Sequence, residues 1–187
     1  MPRGFSLIEL LVVTGIFIVL TGVVLANNAQ FNNSVLLGNA AYDIALSVRQ
    51  AQVYGLSTQS YSGEFQVGYG VHFASPTQYL LFADLDEDHN KRYDVGIDQI
   101  VKQYTLGRGH TIKRYCGVTN LDVEECSDGP EALPHLDVGF LRPNPDATIT
   151  SEGFSDYSIA RIVIRSVGGE TRTVSIQSTG QISVTNP

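Results

Sequence analysis

Residues 1–26 read MPRGFSLIELLVVTGIFIVLTGVVLA, and from Leu10 to Ala26 every residue is apolar, Gly or Thr. At about 1.5 Å per helical residue, Phe5 to Ala26 spans roughly 33 Å, which matches a hydrocarbon core of about 30 Å. The stretch can therefore cross a bilayer as one helix. Gly15 and Gly22 each weaken a helix in water by about 1 kcal/mol relative to Ala, but in membranes such residues permit close helix packing. Between Glu9 and Asp43 there is no Asp, Glu, Lys, Arg or His, so a single carboxylate stands in the first turns of an otherwise uncharged segment. Two general processing patterns fit: a secretory signal cut after Val24-Leu25-Ala26, and a signal anchor oriented by Arg3 on the cytoplasmic side.

Outward from that segment the character changes. Apolar residues at Val35, Leu36, Ala40, Ile44, Val48 and Ala51 recur at helical spacing, with Asn39, Asp43, Ser47 and Gln50 on the other face. One amphipathic continuation of the same helix is expected, reaching on the order of 80 Å from Phe5 to Ser57 and stopping near Gly55. The Asn-rich stretch from Ala26 to Ser34 is a poor helix former, and local fraying is expected there.

From Gln59 onward the pattern turns to short strands. Runs at 65–74, 78–83, 99–106, 110–115, 136–141, 158–166, 171–178 and 181–184 are rich in β-formers and bounded by Gly, Pro, Asn and Asp. Gly168-Gly169 predicts a tight hairpin. The fold class expected is α+β: a long N-terminal helix, half membrane-spanning and half amphipathic, packed on one sheet of a mainly antiparallel β head. At 187 residues the chain suits one such head and an appendage. Its net charge of -7, from 12 Lys+Arg against 19 Asp+Glu, repels phosphate and argues against nucleic-acid binding by the head.

Gly4-Phe5-Ser6-Leu7-Ile8-Glu9-Leu10-Leu11 resembles the G-F-[ST]-L-I-E-L-L motif of type IV prepilins and type II secretion pseudopilins. The resemblance offers a third processing pattern. A prepilin peptidase would cut between Gly4 and Phe5 and methylate the new amine of Phe5. The organisation implied is a leader at 1–4, a transmembrane half at 5–26, an amphipathic half at 27–58 and an exported head at 59–187. Glu9 would then pair with the Phe5 amine of a neighbouring subunit, an interaction that an apolar filament core makes far more orienting than water does. A local role competes: Ser6-x-x-Glu9 has capping-box spacing, and a first-turn carboxylate complements the helix dipole. The partners implied are the peptidase, other pilins or pseudopilins, an inner-membrane assembly platform and membrane lipid. The location implied is a single pass through the inner membrane with the N-terminus cytoplasmic, followed by a periplasmic or surface filament.

Further along, Gly70-Val71-His72-Phe73, Tyr79-Leu80-Leu81-Phe82-Ala83-Asp84 and Phe140-x-Arg142-Pro143 resemble the heads of H-type minor pseudopilins and FimT-like minor pilins. The FimT-like Gly-Arg-x-Arg motif, associated with DNA binding, is replaced by Gly180-Gln181-Ile182-Ser183, so a DNA role is disfavoured. Two function classes result: a non-catalytic filament subunit of a pilus or secretion system, and a tip-located binding module for DNA or a surface.

Cys116 and Cys126 lie in an acidic, loop-like stretch, and in an exported head they are expected to form a disulfide, since no CxxC or His pair suggests metal. Asp86, Asp88, Asn90 and Asp94 fall at positions 1, 3, 5 and 9 of an EF-hand-like loop. Lys91 and Ile97 replace the glycine and the bidentate glutamate of that loop, with Asp98 one residue beyond. Two readings stay open, a solvated acidic turn with no cofactor and a calcium site, the latter implied by resemblance to the calcium-binding major pseudopilins. The histidines at 72, 89, 110 and 135 are scattered, and no GxSxG, HExxH or phosphate loop is present, so no catalytic site and no enzyme are expected. Arg161, Arg165 and Arg172 on adjacent strands suggest a local basic face, or else charges neutralised by nearby carboxylates.

Overall fold

The structure, a computed structural model, describes residues 4–57, 67–86, 89–130, 132–152 and 157–185, those from 26 to 32 as backbone only. It divides into two compact units, Met1–Leu36 and Leu37–Pro187. The one helix among the described residues, α1 (Leu7–Leu56), contributes to both, and its backbone is helical across the Asn-rich stretch where fraying is expected.

Within the first unit α1 begins with a capped turn. The Ser6 hydroxyl accepts the Glu9 N–H at 3.3 Å, and the Ser6 carbonyl accepts those of Glu9 and Leu10 at 3.1 and 3.2 Å. These bonds satisfy donors that every helix start leaves orphaned. The Thr14 hydroxyl donates back to the carbonyls of Leu10 and Leu11, both at 3.0 Å, which hides its polarity inside the apolar run.

The second unit holds ten strands in two antiparallel sheets of five. They are β1 (Gly68–Phe73), β2 (Gln78–Asp84), β3 (Gln99–Thr105), β4 (Thr111–Val118), β5 (Glu124–Cys126), β6 (Leu136–Leu141), β7 (Asn144–Thr150), β8 (Ile159–Arg165), β9 (Thr171–Gln177) and β10 (Ile182–Thr185). The first sheet has the order β3-β2-β1-β6-β7 and the second β10-β9-β8-β4-β5. One apolar core joins both sheets to the helix: Leu37, Ala41, Ile44, Val48 and Ala51 meet Val71 and Phe73, Leu81, Val138 and Phe140, Ile162 and Ile164, Val174 and Ile176.

The helical half from Leu37 lies along the first sheet and touches each of its strands. The Ser47 and Tyr79 hydroxyls are 3.0 Å apart, Tyr104 donates to Gln50 Oε1, and Tyr54 meets Tyr69 edge to face. Gln52 Nε2 donates to the Pro145 carbonyl, and a Cβ on Gly55 would stand 2.4 Å from the Phe140 carbonyl oxygen. Gly55 is therefore required for close approach rather than as a helix stop; α1 continues to Leu56.

Several expectations change. The buried stripe is Leu37-Ala41-Ile44-Val48-Ala51, one residue out of phase at its start, and Val35 is exposed. Ser47 is buried, not on the polar face, because its hydroxyl is satisfied by the Asp43 carbonyl and Tyr79. β5 and β7 are strands where loops are expected. β7 opens Asn-Pro-Asp, and proline confines it to the sheet edge it occupies. The Gly168-Gly169 hairpin forms as expected, with Ser166 N–H donating to Glu170 and Gly169 at φ 88°.

Candidate functional site

The exposed apolar helix is the first candidate. Leu7–Leu25 is long and apolar enough to cross a membrane, and none of it is buried within the chain. Fourteen large apolar side chains between Leu7 and Leu25 are exposed. At about 1.5–3 kcal/mol for each side chain covered, leaving them in water costs more than about 20 kcal/mol, so lipid or other helices must cover them. Glu9 is exposed on this surface, its backbone N–H held by Ser6 and its carboxylate available on the helix face. Phe5 precedes the first turn and is also exposed.

The acidic loop after β2 is tied down by its own carboxylates. Asp98 accepts the Leu85 N–H at 2.9 Å through one oxygen and the Asp94 N–H at 2.7 Å through the other. Burial holds the Asp98 carboxyl above the ordinary carboxylate range; the charges of Asp84 and Asp94 add to this, and the two N–H bonds oppose it. Asn90 Nδ2 donates to Asp86 and Asp94, both at 3.0 Å, and its Oδ1 accepts the Arg92 N–H at 2.7 Å. Of the five residues proposed to hold calcium, Asp86, Asn90, Asp94 and Asp98 are thus joined in one turn, while Asp88 lies outside the described residues. Asp84 is the acidic neighbour that spacing left out: it is fully buried, and its Oδ2 accepts the Lys91 N–H at 2.7 Å. Gly139 on β6 lets this loop dock, since a Cβ there would stand 2.5 Å from the Lys91 carbonyl oxygen.

Two of the histidines that look scattered in sequence converge. β1 pairs with β6 so that His72 lies opposite Asp137, and His72 Nδ1 is 2.6 Å from Asp137 Oδ1. His135 Nε2 stands 3.4 Å from Oδ2 of the same fully buried carboxylate. The Tyr93 ring packs on His72 with centroids 4.8 Å apart. His110, in contrast, sits alone in the turn before β4, where burial and then Arg108 lower its pKa from 6.5.

Cys116 and Cys126 form the expected disulfide, directly opposite each other where β5 pairs with β4. Beside it, Tyr157 donates to Glu125, and burial followed by that carboxylate pushes the phenol upward. A Cβ on Gly117 would stand 2.5 Å from the Tyr157 ring, so glycine makes room for this pair. The three arginines do not share a face. Arg161 and Arg165 lie opposite Ser175 and Thr171, whereas Arg172 lies opposite the buried Ile164. Arg161 is paired with Glu124 at 3.0 Å. Gly180, where the DNA-associated motif would begin, has φ 81° and its carbonyl accepts from Gln52, a structural role in the turn before β10.

The chain is 27% identical over 179 residues to the pilin-like protein PilA1 of Thermus thermophilus, a match that covers 96% of each sequence. That likeness supports a place in the type IV pilin superfamily. No protein-family model matches the chain, and no solved structure matches it. Together with the uncovered apolar helix Leu7–Leu25, the likeness is consistent with a membrane-anchored, pilus-type protein.

Proposed function

We propose that this chain is a minor pilin or pseudopilin, a non-catalytic subunit of a type IV pilus or type II secretion filament. The observation that carries the reading is the Leu7–Leu25 surface: an apolar helix face wholly uncovered by the chain, with Glu9 as its one ionisable group. Lipid covers such a surface before assembly, and the helices of other subunits cover it afterwards. A carboxylate in that setting needs a cationic partner, because an isolated charge in an apolar medium is expensive. The free amine of Phe5 on an adjacent subunit supplies it once the leader ending at Gly4 is removed. The PilA1 likeness supports assembly with other pilin subunits; a prepilin peptidase and an inner-membrane platform follow from the same reading. The head then faces the outside of the filament, and it resembles those of H-type and FimT-like subunits.

N-terminal mass spectrometry of the protein from membranes tests this directly. A peptide starting at methylated Phe5 is expected, and a mature chain starting at Asn27 overturns the proposal. Glu9→Ala should insert and be processed normally yet enter filaments poorly; normal incorporation would remove the intersubunit role.

A further inference from the structure

A buried carboxylate oxygen without a hydrogen-bond donor is expensive, and the head contains one at the end of β2. Asp84 is 0% exposed. Its Oδ2 accepts the Lys91 N–H, while Oδ1 has no partner among the described residues. Gly68 lies opposite it on β1, where a Cβ would come within 3.3 Å of the Asp84 side chain, so the neighbouring strand leaves it space. The lysine nearest in the loop offers no charge: Lys91 Nζ is turned to Thr148 Oγ1 at 3.1 Å.

Two further metal-ligating side chains stand close to this carboxylate. Asp84, Asp86 and His89 each present a ligand atom, and all three atoms lie within 4.8 Å of one another. His89 Nδ1 is also buried without a partner among the described residues. The turn holds this arrangement, with His89 at φ 48° and its N–H donating to Asp86 Oδ1 at 2.8 Å. Tetrahedral zinc ligands bound at about 2.0–2.2 Å stand about 3.3–3.6 Å apart, so an inward shift of at most about 1.5 Å completes a shared site.

We propose that Asp84, Asp86 and His89 bind a divalent transition-metal ion, zinc being the best fit. Two carboxylates and one imidazole form a mixed oxygen and nitrogen set, which suits zinc and its neighbours; calcium takes six to eight oxygens and no imidazole. Three protein ligands leave a fourth position for water or for a group from another molecule. The ion gives Asp84 Oδ1 and His89 the partners the fold withholds, and it pins the acidic loop to the end of β2. This site shares only Asp86 with the EF-hand-like set, and there Asp86 keeps the bonds it accepts from the His89 N–H and Asn90 Nδ2 within the turn.

The test uses the full chain in detergent micelles, stripped with chelator and titrated with zinc chloride alone, then with calcium chloride alone. One zinc per chain by native mass spectrometry is expected, together with a rise in the thermal midpoint. Cobalt should give the visible absorption of a tetrahedral site with a nitrogen ligand. His89→Ala and Asp84→Asn should each weaken zinc binding at least about tenfold, the least that loss of a supporting partner costs in metal sites. The remote, exposed Asp146→Asn should leave it unchanged. Should Asp84→Asn fail to fold, His89→Ala carries the test, with near-ultraviolet circular dichroism reporting an intact head. Absence of stoichiometric zinc overturns the assignment. So do equal zinc uptake by His89→Ala, and calcium uptake without zinc, which would indicate an oxygen-only site.

Discussion

Ile44 lies at the centre of the helical stripe that faces the sheets and is completely buried. Ile44→Ala removes three carbon atoms from that core. At about 0.8 kcal/mol per buried methylene equivalent the transfer loss is about 2.5 kcal/mol, and the residual cavity raises the cost to about 3–4 kcal/mol. For a head of roughly 150 residues this lowers the melting midpoint by about 10 °C. Leu46 is the matched control: two residues on, it is 65% exposed, and Leu46→Ala should change stability by no more than about 0.5 kcal/mol. The assay is thermal unfolding of the detergent-solubilised chain followed by near-ultraviolet circular dichroism. The tyrosines of the head report the transition there, free of the apolar helical half that micelles keep helical. Equal midpoints for the two variants would refute the assigned face, because a helix rotated by two residues exchanges which side is in the core.

Replacing Cys116 and Cys126 with serine should cost about 2–3 kcal/mol of stability, the entropy of a short closed loop, as measured by chemical unfolding with and without reductant; an unchanged midpoint would show that β5 holds without the bridge. Gly139→Ala drives a methyl into the Lys91 carbonyl and should cost about 1–3 kcal/mol, with faster proteolysis of the loop after β2 as the specific sign. His110 is held neutral by burial and Arg108, so the unfolded chain binds its proton more readily. Its contribution is complete above the ordinary pKa of 6.5 and declines as pH falls below it, levelling off under the lowered folded value. His110→Leu should therefore flatten the loss of melting midpoint between pH 7.5 and 5.5, and an unaltered slope would exclude this residue as the cause.

Elements set by neighbours in sequence are legible before folding. An apolar run is an apolar run wherever it lies, so Leu7–Leu25, its isolated Glu9 and the Ser6 cap follow from local chemistry. Eight of the strands carry enough β-branched and aromatic residues to be read directly, and the paired cysteines needed only the expectation of an oxidising compartment. What spacing could not supply is pairing across long separations. β7 is a strand because β6 offers its edge, despite opening Asn-Pro-Asp, and β5 is one because Cys126 is bonded opposite Cys116. Ser47 enters the core because Tyr79, thirty-two residues away, satisfies its hydroxyl. His72 reaches Asp137 only through the register of β1 with β6. Asp84 is buried and short of a partner only because β1 and the loop around Lys91 close over it, leaving an acidic residue to face Asp86 and His89. Local periodicity sets which segments are helix, strand and membrane span; the choice of which polar groups are buried together belongs to the tertiary fold, because burial is a property of the partners and not of the residue alone.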